Sequence, residues 1–338
     1  MKILGIETSC DETAVAVVLN GTTILSNVVS SSVNLHQKTG GIVPEIAARK
    51  QVESIIPVLD ESLTSANISL KEVDAIAITV GPGLIGSLIV GVTTAKMLAM
   101  CLNKPLIPIN HLLAHIYANW LKQEPQKPAP AFPLIGLIVS GGHTELILMK
   151  DHNDIRPLGA TRDDAAGESF DKVARILNLG YPGGPAIEKK ARDMNPKKVA
   201  LVLPKPLINS KDYDFSFSGL KTATFAVIQK KTYSPEEIAF CFQEAVSTVL
   251  VKKTVKAALE YKVKSVVVAG GVSANKRLEE VFLQNEDLKK NKVEIFIPKL
   301  EHCTDNAASI AACAYYHNNP KPVEERGIHT SVHWGQTL

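Results

Sequence analysis

Short apolar runs separated by small polar residues recur along this chain, with the spacing of strands that end in tight turns. One such unit lies at the start. Ile3-Leu4-Gly5-Ile6 leads into the polar turn Glu7-Thr8-Ser9-Cys10-Asp11-Glu12-Thr13, and the β-prone run 14–18 follows. A second unit has the same layout much later: Leu134-Ile135-Gly136-Leu137-Ile138-Val139, the turn Ser140-Gly141-Gly142-His143-Thr144, then the run 145–149. Each reads as a β-hairpin with a tight polar connection. The repetition predicts two related lobes that open on the same hairpin. A coincidence of two unrelated hairpins is the other reading the pattern allows.

Elsewhere the pattern is α/β. A strand over 75–80 is broken by Gly81-Pro82-Gly83, and residues 87–102 are apolar over a helical length. A short strand over 106–110 leads to a helix over 112–121. Residues 122–133 hold Pro125, Pro128, Pro130 and Pro133 and read as a linker. Further helices are expected over 168–177, 235–261 and 275–283, with a buried strand over 265–269 ending in Gly270-Gly271. A last helix is expected to begin at Thr304 or Asp305, since either side chain can cap a first turn.

Composition narrows the class. The chain has 338 residues, 45% hydrophobic and 21% charged, enough for two domains with ordinary cores. A formal charge of +3 does not diagnose a nucleic-acid partner, although a local basic patch would not show in the total. Five widely spaced cysteines without a CxxC pair suggest neither a disulfide framework nor a zinc ribbon. No basic stretch with a long apolar follow-on opens the chain, and a run such as 134–139 is far short of a membrane span. A reduced, soluble, cytoplasmic protein is expected.

Three groups of residues carry candidate chemistry. In His111-Leu112-Leu113-Ala114-His115 a helix would project both imidazoles from one face toward one cation. Two capping or surface histidines would give the same pattern. Asp305 is the best third ligand, with an ordinary helix cap as its alternative role. The glycine turns Ser140-Gly141-Gly142, Gly183-Gly184 and Gly270-Gly271 can let the backbone approach a phosphate, although neither a P-loop nor GxGxxG is present. Glu7, Asp11 and Glu12 could orient a hydrated cation or move a proton, or be solvated turn residues. Asp163, Asp164 and Asp171 form a second acidic stretch, where Asp171 either meets substrate hydroxyls or pairs with Lys172.

Taken in order, these motifs, with Asp163-Asp164-Ala165-Ala166-Gly167-Glu168, Tyr181-Pro182-Gly183-Gly184-Pro185, Asp214-Phe215-Ser216-Phe217-Ser218-Gly219-Leu220-Lys221 and Gly270-Gly271-Val272-Ser273-Ala274-Asn275, resemble the TsaD family. These are tRNA adenosine threonylcarbamoyltransferases, and the likeness runs from residue 3 to about residue 315. The resemblance implies an actin-like ATPase (ASKHA) fold, α/β, with two similar lobes of mixed sheets around a cleft. On that basis an N-terminal lobe over 1–109, joined by 304–338, and a C-terminal lobe over 110–303 are expected. It implies transfer of threonylcarbamoyl from threonylcarbamoyl-AMP to N6 of the adenosine at position 37 in tRNAs that read ANN codons, forming t6A and releasing AMP.

Residue by residue, the resemblance makes His111, His115 and Asp305 ligands of one divalent metal ion, Fe2+ or Zn2+. Ile138, Val139, Ser140, Gly141, Gly142, Asp171, Gly184 and Asn275 would hold the adenylate, with Asp11 and Glu12 close to the chemistry. A tyrosine found before Val-Ser-Gly-Gly in the archaeal and eukaryotic branch is Ile138 here, and His143 replaces an asparagine, so the chain resembles the bacterial branch. The implied partners are tRNA, a paralogous inactive subunit of the same fold (TsaB-like) and a small P-loop ATPase (TsaE-like). The helix over 45–63 would face the paralogue, and Lys38, Arg49 and Lys50 are candidates for tRNA phosphates. The donor is already an activated anhydride, so no protein nucleophile is needed and Cys10 reads as a small packed residue. A metallopeptidase is the first rival, weakened because HExxH is absent. A sugar or acetate kinase and a silent paralogue are the others, and the histidine pair counts against both.

Overall fold

The computed structural model describes residues 1–33, 35–36, 41–122 and 128–317. The chain forms two compact units, one of Met1–Ala129 with the segment from Lys299 onward, the other of Pro130–Pro298. The break falls after Ala129 where the sequence suggested 109/110. The helix that begins at His111 packs against the last described helix, and both belong to the first unit.

In the first unit, strands β1 (Lys2–Glu7), β2 (Glu12–Leu19) and β3 (Thr23–Ser31) form an antiparallel meander. β4 (Ala75–Gly81) and β5 (Leu106–Asn110) extend it in parallel beyond β1, giving the order β3-β2-β1-β4-β5. Helices cover both faces, which is why these strands are near-continuous apolar runs. Leu4, Ile6, Val15 and Val17 enter a core with α1 (Pro44–Ala66) and α2 (Ile85–Leu102). The alternate position, Gly5, turns to the other face. There the Cβ of any larger residue would strike the Ala307 carbonyl of the C-terminal helix. This unit also holds α3 (His111–Tyr117) and, later in the chain, α10 (Leu300–Cys303) and α11 (Ala307–Tyr316).

The second unit repeats the plan. β6 (Leu134–Val139), β7 (Thr144–Met149) and β8 (Ile155–Ala160) form an antiparallel meander, with β9 (Ser265–Ala269) and β10 (Glu294–Phe296) added in parallel beyond β6. Read from its meander edge the order is β8-β7-β6-β9-β10, the same topology as in the first sheet. The two hairpins legible in the sequence are therefore equivalent elements of a duplicated design. Around this sheet lie α4 (Ala166–Ile176), α5 (Gly183–Ala191), α6 (Ser218–Lys230), α7 (Pro235–Glu260), α8 (Lys276–Leu283) and α9 (Glu286–Lys290).

Three expectations need correction. α5 begins at Gly183, where the sequence suggested only a turn, and α6 was not anticipated. The last described helix starts at Ala307 and not at Thr304 or Asp305. α2 is also long and apolar enough to cross a membrane by length and composition, with a mean hydropathy of 1.8. Its Val92, Ala95 and Ala99 lie in the core of the first unit, while Ile85, Ile89, Met97 and Met100 are exposed.

Candidate metal centre and ligand-facing turns

β5 passes directly into α3 because Asn110 caps the helix: its Oδ1 accepts from the amides of Leu112 (2.8 Å) and Leu113 (3.1 Å). His111 is thus the first helical residue and His115 lies one turn on, so their rings share a face. Their Nε2 atoms come within 3.2 Å of each other, with ring centroids 4.6 Å apart. Asp305 Oδ1 stands 3.6 Å from His111 Nε2 and 3.4 Å from His115 Nε2. The capping role that competed for Asp305 belongs to its neighbour: Asn306 Oδ1 accepts from Ser309 N at 3.0 Å. Asn306 also donates to the Thr304 carbonyl (2.8 Å), which shapes the bend that presents Asp305.

The donor set fits a divalent ion. All three ligand atoms lie within 4.8 Å of one another, and nitrogen with carboxylate oxygen suits zinc or iron. The surroundings favour positive charge at this point. Burial works against protonation of His111, yet Asp305 and Glu7 outweigh it and bring its pKa up to about 9.

Glu7, at the end of β1, orients His111. Its Oε2 lies 3.2 Å from His111 Nδ1 and accepts from Thr79 Oγ1 at 2.5 Å, while Oε1 accepts from Ser9 N at 2.5 Å. Burial opposes ionisation of Glu7, but the adjacent His111 holds its carboxyl below the usual glutamate range. A carboxylate accepting from Nδ1–H leaves the Nε2 lone pair facing the cluster.

The turn after β1 adjoins the same centre: Ser9 Oγ is 3.2 Å from His111 Nδ1, and the Asp305 charge raises Cys10, Asp11 and Glu12. Burial, then Asp305 and Asp11, push the Cys10 thiol far above its ordinary range, which removes it as a thiolate nucleophile. Asp11 is raised by burial and by Asp305. Burial raises Glu12 to about 7 against the hydrogen bond from Ser31 Oγ (2.7 Å), and its buried Oε2 has no hydrogen-bond partner among the described residues. Glu12 is therefore not a solvated turn residue. From α1, buried Gln51 reaches across and donates to carbonyls of this turn.

The second unit carries the glycine turns. A Cβ added at Gly141, Gly142, Gly184 or Gly271 would meet nothing within 4 Å, so each turn leaves room beside its backbone. Gly183 differs: a Cβ there would press on Phe170 and Asp171 backbone, and its amide donates to Asp171 Oδ1 at 2.7 Å. Asp171 is raised by burial. It does not pair with Lys172, which bridges Asp164 (2.9 Å) and Glu168 (2.7 Å). Ser140 Oγ accepts from His143 N at 3.2 Å. Asn275 caps α8 through Oδ1 and donates Nδ2 to Gln243 Oε1 at 2.9 Å. The Ile138 and Val139 side chains are buried in the sheet, so only their backbone is available to a ligand.

Asp163 and Asp164 are structural. Asp163 accepts from Ser216 Oγ, Phe217 N and Ser218 N at the start of α6, and Asp164 pairs with Lys172 and Lys221. Of the basic candidates, Arg49 pairs with Glu45 and Lys50 with Glu53, while Lys38 lies outside the described residues. The sequence reading missed the orienting contact of Glu7 and the parts played by Gln51 and Gln243. A glutamine on the buried stripe of α1, beside Ala47 and Ile55, was the signal for Gln51.

A family model described as TsaD, tRNA N6-adenosine threonylcarbamoyltransferase, matches residues 23–312. A protein of that name from Thermosipho melanesiensis is 54% identical over 316 residues, covering 93% of this chain and 94% of that one. Another of the same name from Persephonella marina is 49% identical over 318 residues, covering 93% and 90%. Among solved structures, HypF from T. kodakarensis superposes with a TM-score of 0.62 at 16% identity, over 94% of this chain and 47% of that one. This last likeness speaks to the fold alone: it is the actin-like α/β fold with two similar sheets.

Proposed function

We infer the reaction from one premise: the chain belongs to the TsaD family of tRNA N6-adenosine threonylcarbamoyltransferases. It is a transferase that places a threonylcarbamoyl group on N6 of adenosine in tRNA. Our finer reading is that the donor is threonylcarbamoyl-AMP, the acceptor is the adenosine at position 37 of tRNAs reading ANN codons, and AMP leaves. The observation that carries this reading is the convergence of His111, His115 and Asp305 beside a turn of poised carboxylates.

A divalent ion held by these three residues, Fe2+ or Zn2+, would supply Lewis acidity and a template for the oxygens of the activated donor. The chain's own groups do the rest. Glu7 holds the tautomer of His111. Glu12, with a pKa of about 7, is suited to accept a proton from the N6 amine at neutral pH, and Asp11 stands beside it. The amine is a weak nucleophile, so positioning carries much of the rate. Gly141, Gly142 and Gly184 leave room for the adenylate, and Gly184 lies in the first turn of α5, where helix amides favour an anion. Asp171 has one oxygen on Gly183 and a second that suits a ribose hydroxyl. Asn275, Ser140 and the backbone of Ile138 and Val139 complete the adenylate contacts.

For partners we propose tRNA, a TsaB-like paralogous subunit and a TsaE-like ATPase. The outer side of α1 leaves Ile46, Val52 and Ile56 exposed, which suits an apolar partner helix. We place the protein in the cytoplasm, in keeping with widely spaced cysteines that suggest no disulfide framework. The test is to incubate the protein with threonine, bicarbonate, ATP, the adenylate-forming enzyme, the partners and tRNA, and to detect t6A by mass spectrometry. Joint alanine substitution of His111 and His115 is expected to abolish both bound metal and t6A. Unchanged metal content and rate in that variant would overturn the reading.

A further inference from the structure

We propose that Gln51 is a positioning residue for the transfer reaction, holding the turn between β1 and β2 in its working shape through one buried amide nitrogen. The inference rests on the reading of that turn as part of the active site.

Gln51 lies in the second turn of α1 and is 1% exposed. Its Nε2 is 2.9 Å from the Glu12 carbonyl, 3.1 Å from that of Cys10 and 3.5 Å from that of Thr8. Three carbonyls spaced two residues apart thus point at one donor. An amide nitrogen has two hydrogens, so two bonds are well made and the third is a long, shared contact. The orientation is dictated by chemistry: turning the amide over would set Gln51 Oε1 against those carbonyl oxygens. The rest of the turn is gripped from α2 and from the end of β3. Ser87 Oγ donates to the Cys10 carbonyl at 2.9 Å, Thr8 Oγ1 to the Ser87 carbonyl at 2.9 Å, and Ser32 Oγ to the Asp11 carbonyl at 2.6 Å.

These contacts hold the backbone and leave to the site the Asp11 carboxylate and Glu12 Oε2, the other Glu12 oxygen accepting from Ser31. Glu7, at the end of β1, is anchored from outside the turn by Thr79 Oγ1, besides the Ser9 amide within it. Loss of the Gln51 donor should therefore move Asp11 and Glu12 while sparing the His111–Glu7 contact. That separation makes the role testable.

Three variants decide it: Gln51→Met keeps the volume and removes the donor, Gln51→Glu puts an acceptor against the carbonyls, and Gln51→Lys restores a donor. Each is assayed in the full t6A reaction for kcat and KM, with Zn2+ affinity by chelator competition and Tm by calorimetry. Gln51→Met should lose about tenfold or more in kcat, since small misplacements of reacting groups cost rate steeply. Its KM and Zn2+ affinity should stay within about twofold of the parent, against the larger losses expected when metal-orienting contacts break. Gln51→Lys should recover part of the rate, and Gln51→Glu should be the slowest. A volume-filling role predicts instead that Met works as well as Gln, and that result would overturn the proposal. So would a kcat loss in Gln51→Met accompanied by lost Zn2+ binding, or no recovery with lysine. If Gln51→Glu does not fold, the Met and Lys variants still decide. Absence of t6A with the parent protein would count against the proposed function itself, separately from any difference among the variants.

Discussion

Glu7 Oε2 and His111 Nδ1 meet at 3.2 Å across 104 residues of sequence, with the glutamate side chain 1% exposed and the histidine 11%. The contact joins the end of β1 to the start of α3 and selects which ring nitrogen faces His115 and Asp305. Glu7→Gln keeps the shape and removes the charge. Its cation affinity should fall by about 10- to 100-fold, as for other carboxylates that orient a histidine ligand. Chelator competition measures this, and unchanged affinity would show that the contact is incidental.

Glu12 gives a pH signature. Its folded pKa of about 7 exceeds the ordinary 4.5, so the native state binds the proton more tightly than the unfolded chain. Stability from this group is present below pH 4.5 and is lost as pH rises toward 7. Glu12→Gln should abolish that loss. Relative to the parent, the variant should gain about 1–3 kcal/mol in unfolding free energy between pH 4.5 and 7.5. Denaturant melts at several pH values read the difference, and parallel curves would refute the burial argument.

Two glycines should respond oppositely to alanine. At Gly184 the added methyl enters open space, so Tm should hold within about 1 °C while KM for the adenylate rises roughly tenfold, a loss near 1.4 kcal/mol of binding. At Gly5 the methyl meets the Ala307 carbonyl, and the cost should be about 2–3 kcal/mol of stability. Calorimetry with steady-state kinetics separates them.

Asn306 caps α11 and shapes the bend that presents Asp305. Asn306→Ala should cost about 1 kcal/mol for the cap. It should also weaken cation binding several-fold, whereas Asn306→Asp, which can still cap, should recover most of the stability. Melting curves and metal titration together test this, and a stability loss with cation binding untouched would limit Asn306 to capping.

Much of this protein is legible in its sequence alone. Short apolar runs broken by Glu7–Thr13 and by Ser140-Gly141-Gly142 pointed to both hairpins, because run length and turn chemistry are local properties. The spacing of His111 and His115 likewise predicted a shared helix face. The start of α5 was misread because Gly183-Gly184 looks like a turn, while the helix there is stabilised by packing against α4 and α7. Asp171 and Lys172 are adjacent in sequence, yet the pairing of Lys172 with Asp164 and Glu168 depends on how α4 sits against its neighbours.

By itself the sequence determined the two hairpins, the histidine pair and the glycine turns, each encoded within a few neighbouring residues, while the matching strand orders showed the hairpins to be equivalent parts of a duplicated plan. Only the tertiary structure decided that Asp305 joins His111 and His115 in a group that could hold a metal ion while Asn306 is the cap, since both types can cap and the choice rests on where α11 begins. It also decided that Glu7 serves His111 and that Gln51 grips the turn. Such contacts link residues 104 or about 40 positions apart, and no local pattern carries them. Burial sets their strength: removed from water, a single carboxylate or amide fixes a tautomer or a turn that it would not hold in solvent.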